Sequence, residues 1–195
     1  METVTKVYDN HYQARQAVTE LETAGISSSE ISLLANRRVS DKYDDVDDIS
    51  DTATGAGIGA AIGGGAGLLA GIGLLAIPGL GPIVAAGWLA STAVGALAGG
   101  ATGGIVGALV DSGVSEEHAH VYSEAVRRGG TLVSVKTDDA RAGKVRSILE
   151  RYQPMDPVRQ GADYRKTGWK QFDPKAAPYE LNEAEIERIR MGSNR

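Results

Sequence analysis

From Thr52 to Val110 the chain carries no charged side chain, and within that stretch small residues return at every fourth position in two runs. The first run is Gly55, Gly59, Gly63, Gly67 and Gly71; the second is Gly87, Ser91, Gly95, Gly99, Gly103 and Gly107. Positions four apart stack along one face of an α-helix, so each run would form a stripe where a second backbone can approach closely. A helix this rich in glycine is weak alone, because each Gly costs about 0.8–1 kcal/mol relative to Ala in a helix interior. A bilayer or a close-packed neighbouring helix has to hold it.

Pro78, Gly79, Gly81 and Pro82 interrupt the block and predict a turn between two antiparallel helices. At about 1.5 Å per residue, the arms 55–77 and 83–110 each exceed a hydrocarbon core of about 30 Å. A strand period of two also fits the early glycines, but Leu89, Ala93, Leu97, Ala101 and Ile105 stand midway between the small positions of the second run, which leaves only the period of four. Gly71 to Ala76 spells GxGxxA, yet it is followed by a proline and not by a helix, so a dinucleotide loop is set aside. Three placements follow for the hairpin: two membrane crossings, a re-entrant wedge in one leaflet, or burial inside a homo-oligomer. The flanks at Asp44 to Asp51 and at Asp111, Glu116 and Glu117 are acidic and lack the positive-inside pattern.

Charge narrows the partners. Residues 1 to 51 hold 5 basic and 11 acidic side chains, and the whole chain has a net charge of -5. Without a basic stripe a nucleic-acid surface is excluded. The chain has no cysteine, so disulfides, thiolate nucleophiles and Cys-ligated zinc are excluded too. The first twenty residues have neither a basic n-region nor an apolar h-region, which predicts no signal peptide and termini that stay in the cytoplasm.

Outside the block the pattern is mixed. Val4 to Tyr8 reads as a strand, Asn10 as the cap of a helix with Ala14, Ala17, Val18 and Leu21 on one face, and Ile31 to Ala35 as a second strand. Residues 36–51 contain six aspartates and read as an acidic linker, lacking the central Gly and closing Glu of a calcium loop. Ser115 can cap a helix bearing Ala119, Tyr122, Ala125 and Val126; residues 131 to 137 make a strand; Asp138 or Asp139 caps a helix with Val145, Ile148 and Leu149 inward. A weak extended segment is expected around Met155 to Val158. The tail shows Tyr164, Trp169, Phe172 and Tyr179, a docking segment for a protein partner or for its own domain, and then Asn182 and Glu185 at capping-box spacing.

These elements predict an α+β chain: a ferredoxin-like α/β sandwich with an inserted glycine-zipper helical hairpin. Residues 1–35 and 111–158 form the two halves, 36–51 the linker, 52–110 the hairpin and 159–195 the tail. The strand with Val133 and Val135 is expected in the sheet interior beside the first strand. No chemistry stands out. His118 and His120 point to different sides of a helix, His120 with Glu124 lacks a third ligand, and Asp138-Asp139 reads as a cap. No catalytic, cofactor-binding or metal residue is predicted.

The strand-helix-strand start through SSSEISLLA, the LLAIPGLGPIVAAGWLA segment, the run Val121 to Val133 and the GWKQFDPKAAPY tail together resemble the bacterial heat-induced general stress proteins with a YflT-like domain. The resemblance implies stress-linked expression and no established enzymatic activity. The resulting expectation is a non-enzymatic stress-response protein at the cytoplasmic membrane, contacting lipid and self-assembling into a homo-oligomer through the hairpin. The alternative is a soluble oligomeric regulatory or small-ligand-binding module with the glycine helices packed inside the assembly.

Overall fold

The computed structural model describes residues 1–36, 73–77, 80–89, 104–177, 179–180 and 182. Strand β1 (Glu2–Tyr8) leads into helix α1 (His11–Thr23), where the Asn10 side chain accepts the Gln13 N–H at 2.9 Å and satisfies one of the free donors of the first turn. The expected residues Ala14, Ala17, Val18 and Leu21 form its buried face. A 3-10 turn at Ser28–Glu30, closed by a capping box between Ser27 and Glu30, then delivers β2 (Ile31–Asn36).

The uncharged block departs from the helical reading at its centre. Gly73–Ile77 and Gly81–Ala86 are antiparallel strands, β3 and β4, with Ile77 opposite Gly81 and Ala76 opposite Pro82. The segments on either side of the predicted turn are therefore paired strands and not helices, and Gly81 and Pro82 open β4. The reason is local: the stripe lapses between Gly71 and Gly87, and the gap holds β-branched Ile77, Ile83 and Val84, which suit a pleated surface. Helix appears at the far end of the block as α2 (Gly104–Asp111). Among the described residues no helix is long and apolar enough to cross a membrane.

Helix α3 (Glu116–Arg127) starts at the predicted cap Ser115, strand β5 spans Thr131–Thr137, and α4 (Asp139–Arg151) is capped by Asp138. The extended segment expected around Met155 to Val158 is not a strand: Pro157 and Val158 already belong to a helix that the sequence reading did not include. Asp156 accepts the N–H groups of Val158 and Arg159, Pro157 sits in the first helical turn, and α5 (Pro157–Lys166) follows.

The strands form one sheet in the order β1-β5-β2-β4-β3, with every neighbouring pair antiparallel. Hence β1 and β2 run parallel on either side of β5, and β4 and β5 run parallel on either side of β2. Two split crossovers interleave. As expected, β5 is interior and beside the first strand. Among the described residues the sheet has five strands, with β1 at an edge and helices on both faces, and so differs from the ferredoxin-like sandwich anticipated from residues 1–35 and 111–158. On one face Val133 and Val135 of β5 join Ile31 and Leu33 of β2, α1, and Val145, Ile148 and Leu149 of α4. On the other, Leu34 and Leu132 meet Ala119, Tyr122, Ala125 and Val126 of α3, Ile105, Ala108 and Leu109 of α2, and Leu80, Ala85 and Leu89 of the block. Alternate residues of a strand point to opposite faces, so apolar Leu132 beside apolar Val133 requires cover on both. Burying each such Leu or Val contributes about 1.5–3 kcal/mol.

Candidate functional site

The predicted helix-packing residues fall in different settings. Gly55, Gly59, Gly63, Gly67, Gly71, Ser91, Gly95, Gly99 and Gly103 lie outside the described residues, as do Pro78 and Gly79 of the predicted turn. Gly107 is on α2, but no described atom approaches within 4 Å of where its Cβ would stand. Gly87 is not helical. It ends β4 with φ +86°, and a Cβ there would lie 2.1 Å from the Ile31 carbonyl oxygen and 2.5 Å from Ser32 Oγ. The close approach that its type suggested is real, but it is made to the start of β2. Just beyond it the Leu89 N–H donates to the buried Ser32 Oγ at 2.8 Å, which seals the end of the hairpin onto the sheet.

A second constellation lies at the C-terminal end of α3. The side chain of Glu124 is only 1% exposed and accepts from Arg127 Nη2 at 2.8 Å and Arg128 Nε at 2.6 Å, with Arg127 Nε completing a bidentate pair at 2.9 Å. Burial of a carboxylate is tolerated because charge-assisted bonds occupy both oxygens. The Arg128 guanidinium lies over the rings of Tyr164 at 4.4 Å and Tyr179 at 4.8 Å, and Arg127 Nη1 donates to the Ala177 carbonyl at 3.1 Å. Tyr164 meets Trp169 edge-on at 5.5 Å. Burial pushes the Tyr164 phenol up to about 12, and burial with the Asp156 charge does the same for Tyr122.

The tail therefore folds back as a strap across α3. Tyr164 and Phe172, which read as exposed docking aromatics, are buried, and Phe172 joins the core cluster of α2 and α3. Of the two readings of the tail, docking on its own domain is the one realised over the described residues; the capping-box segment from residue 183 lies outside them. Sequence reasoning missed this cluster. The spacing of Glu124, Arg127 and Arg128 at i, i+3 and i+4 signals ion pairs on one helix face, but it says nothing of Tyr164, which α5 carries, or of Tyr179, which the chain beyond α5 brings in.

Both carboxylate oxygens of Glu124 are committed to guanidinium donors. His118 stacks at a tilt near Tyr122, with 6.3 Å between ring centroids, and among the described residues no three His, Asp or Glu converge as metal ligands. Asp138 serves as the cap, accepting the Arg141 N–H at 2.8 Å. Arg141 bridges Asp138 and Glu30, at 2.6 and 2.8 Å, and holds both carboxyls below their usual range. That triad fastens α4 to the turn before β2. Comparison of the chain with protein-family models, with curated proteins and with solved structures gives no match.

Proposed function

We propose that this chain is a non-enzymatic stress-response module that assembles with itself, and that the later part of its uncharged block serves the folded domain instead of leaving it for a bilayer. The observation that carries this is the burial of Leu80, Ala85, Leu89, Ile105, Ala108 and Leu109 in one cluster with Val126 and Leu132. Withdrawing those side chains would strip one face of the sheet, at a cost comparable to the usual net stability of about 5–15 kcal/mol for a domain. The stress context is supported by the family resemblance of the start, the central turn, the α3 run and the tail.

Deletion of residues 54–109 with a short Gly/Ser linker tests the reading. The shortened chain should lose its cooperative thermal melt, and detergent-free lysates should yield the full chain as a discrete particle. A shortened chain that melts cooperatively, or a full chain held in a salt-washed membrane pellet, would overturn it. The period-four glycines from Gly55 to Gly71 favour a second reading, in which residues outside the described set form a lipid-associated zipper. On that reading Gly63→Leu and Gly99→Leu weaken assembly, and cysteines at Ser50 and Ser112 are both shielded from an impermeant maleimide in intact cells.

A further inference from the structure

We propose that the outer edge of β3 is a self-docking surface, on which β3 of a second copy pairs antiparallel about a twofold axis at Leu75 and joins the two sheets into one. This rests on the reading that the chain assembles with itself, and it specifies where. The sheet ends in β1 on one side and β3 on the other. The two edges differ in chemistry. Strand β1 is guarded: Lys6 pairs with Glu150 and Glu2 with Arg146, and the outward carbonyl of Val7 accepts the Met155 N–H at 2.7 Å. Charges and a covering segment are the usual means by which a protein stops an edge strand from recruiting another chain. Strand β3 has neither among the described residues. Its five residues, Gly73–Ile77, carry no charge and no proline, and among the described residues it pairs with β4 alone.

The ladder also sets which groups are on offer. Pro82 of β4 stands opposite Ala76 and has no N–H to give, so this is the non-hydrogen-bonded pair of the hairpin. The alternation then directs the peptide groups of Gly73, Leu75 and Ile77 toward β4, and those of Leu74 and Ala76 outward. Two such edges are complementary in one arrangement. With Leu75 on the axis, Leu74 of each copy faces Ala76 of the other, and the outward N–H and C=O groups of both are satisfied at once, as an isologous contact requires. A second copy is the occupant that fits because chains of net charge -5 repel except where uncharged segments meet, and residues 73–86 carry no charge. The guarded β1 edge stops further addition, so the assembly closes as a dimer.

The test uses the full chain. Leu74→Pro and Ala76→Pro each delete an outward N–H while sparing the bonds to β4, and should raise the dimer dissociation constant at least tenfold in light scattering with the cooperative melt retained. Leu75→Cys, in a chain without cysteine, places two thiols on a non-hydrogen-bonded pair whose Cα atoms lie about 4.5 Å apart, within disulfide range. It should form a covalent dimer on mild oxidation, whereas Gly143→Cys on α4 should not. If a proline variant loses its melt, the Leu75→Cys crosslink decides. Dimers that survive both proline changes and show no Leu75→Cys crosslink would overturn the edge while leaving self-assembly standing. A monomeric unmodified chain would overturn both, and an open ladder of larger species would overturn closure at β1.

Discussion

The missing Cβ of Gly87 is what lets the end of β4 lie against Ile31: an added methyl group would stand 2.1 Å from the Ile31 carbonyl oxygen. The uncharged block is thereby stitched to the first residue of β2, and Ser32 Oγ takes the Leu89 N–H beside it.

Gly87→Ala is accordingly expected to cost more than about 2 kcal/mol, combining about 1–2 kcal/mol for a left-handed backbone with the collision against a backbone oxygen that cannot retreat. Gly107→Ala, at the far end of the same sequence stripe but in open surroundings, should be neutral or stabilising by up to about 1 kcal/mol. Urea unfolding of the two variants checks the pair; equal effects would contradict the assignment.

Removing the carboxylate of Glu124 leaves Arg127 and Arg128 partly buried without their counter-charge. Glu124→Gln should destabilise by about 3 kcal/mol, in the range for breaking one side of a buried pair. Glu117→Gln, which breaks only the exposed contact with Arg165, should cost less than about 1 kcal/mol. Chemical denaturation at low and high salt separates the two, since the exposed pair is screened and the buried one is not.

The strap makes the tail part of the core. Phe172, 3% exposed, should cost about 3–5 kcal/mol on replacement by Ala. Tyr179→Ala removes an aromatic face from Arg127 and Arg128 and should cost about 0.5–1 kcal/mol. A chain cut after Thr167 should show raised amide exchange along α3, and unchanged exchange there would count against the strap.

Acid should act through Arg141. Its guanidinium lowers the folded-state pKa of Glu30 and of Asp138, so both carboxylates contribute stability above their unfolded values of about 4.3 and 3.9. That stability is lost as pH falls through the lower folded values, where the protonated carboxyls release Arg141. Thermal melts from pH 7 to pH 2.5 should show a declining midpoint below about pH 4, and Arg141→Met should lower the neutral-pH midpoint and flatten that decline.

Much of the local structure is written in short-range chemistry. Asn10, Ser115 and Asp138 are legible as caps because a side-chain oxygen one turn ahead of an apolar period has one local use, and the inward faces of α1 and α4 follow from helical spacing alone. The strand Thr131–Thr137 was equally plain from its composition. What local pattern could not decide is what each apolar surface meets. The period of four in the block is indifferent to lipid, to another helix or to a sheet, and it lapses where β3 and β4 form. Their place beside β2 depends on β2 having an unfilled edge, a fact of the tertiary fold. Glu124 shows the same division: its pairing with two arginines is a matter of helix spacing, but the stacking of those arginines on Tyr164 and Tyr179 needs the chain to return forty or more residues later. Sequence alone determined the elements β1, α1, β2, α3, β5 and α4 outside the uncharged block and their apolar faces, because those depend on neighbours within a few residues, whereas β3, β4 and α5 escaped it. The tertiary structure decided which faces cover one another, because that depends on groups brought together across the whole chain.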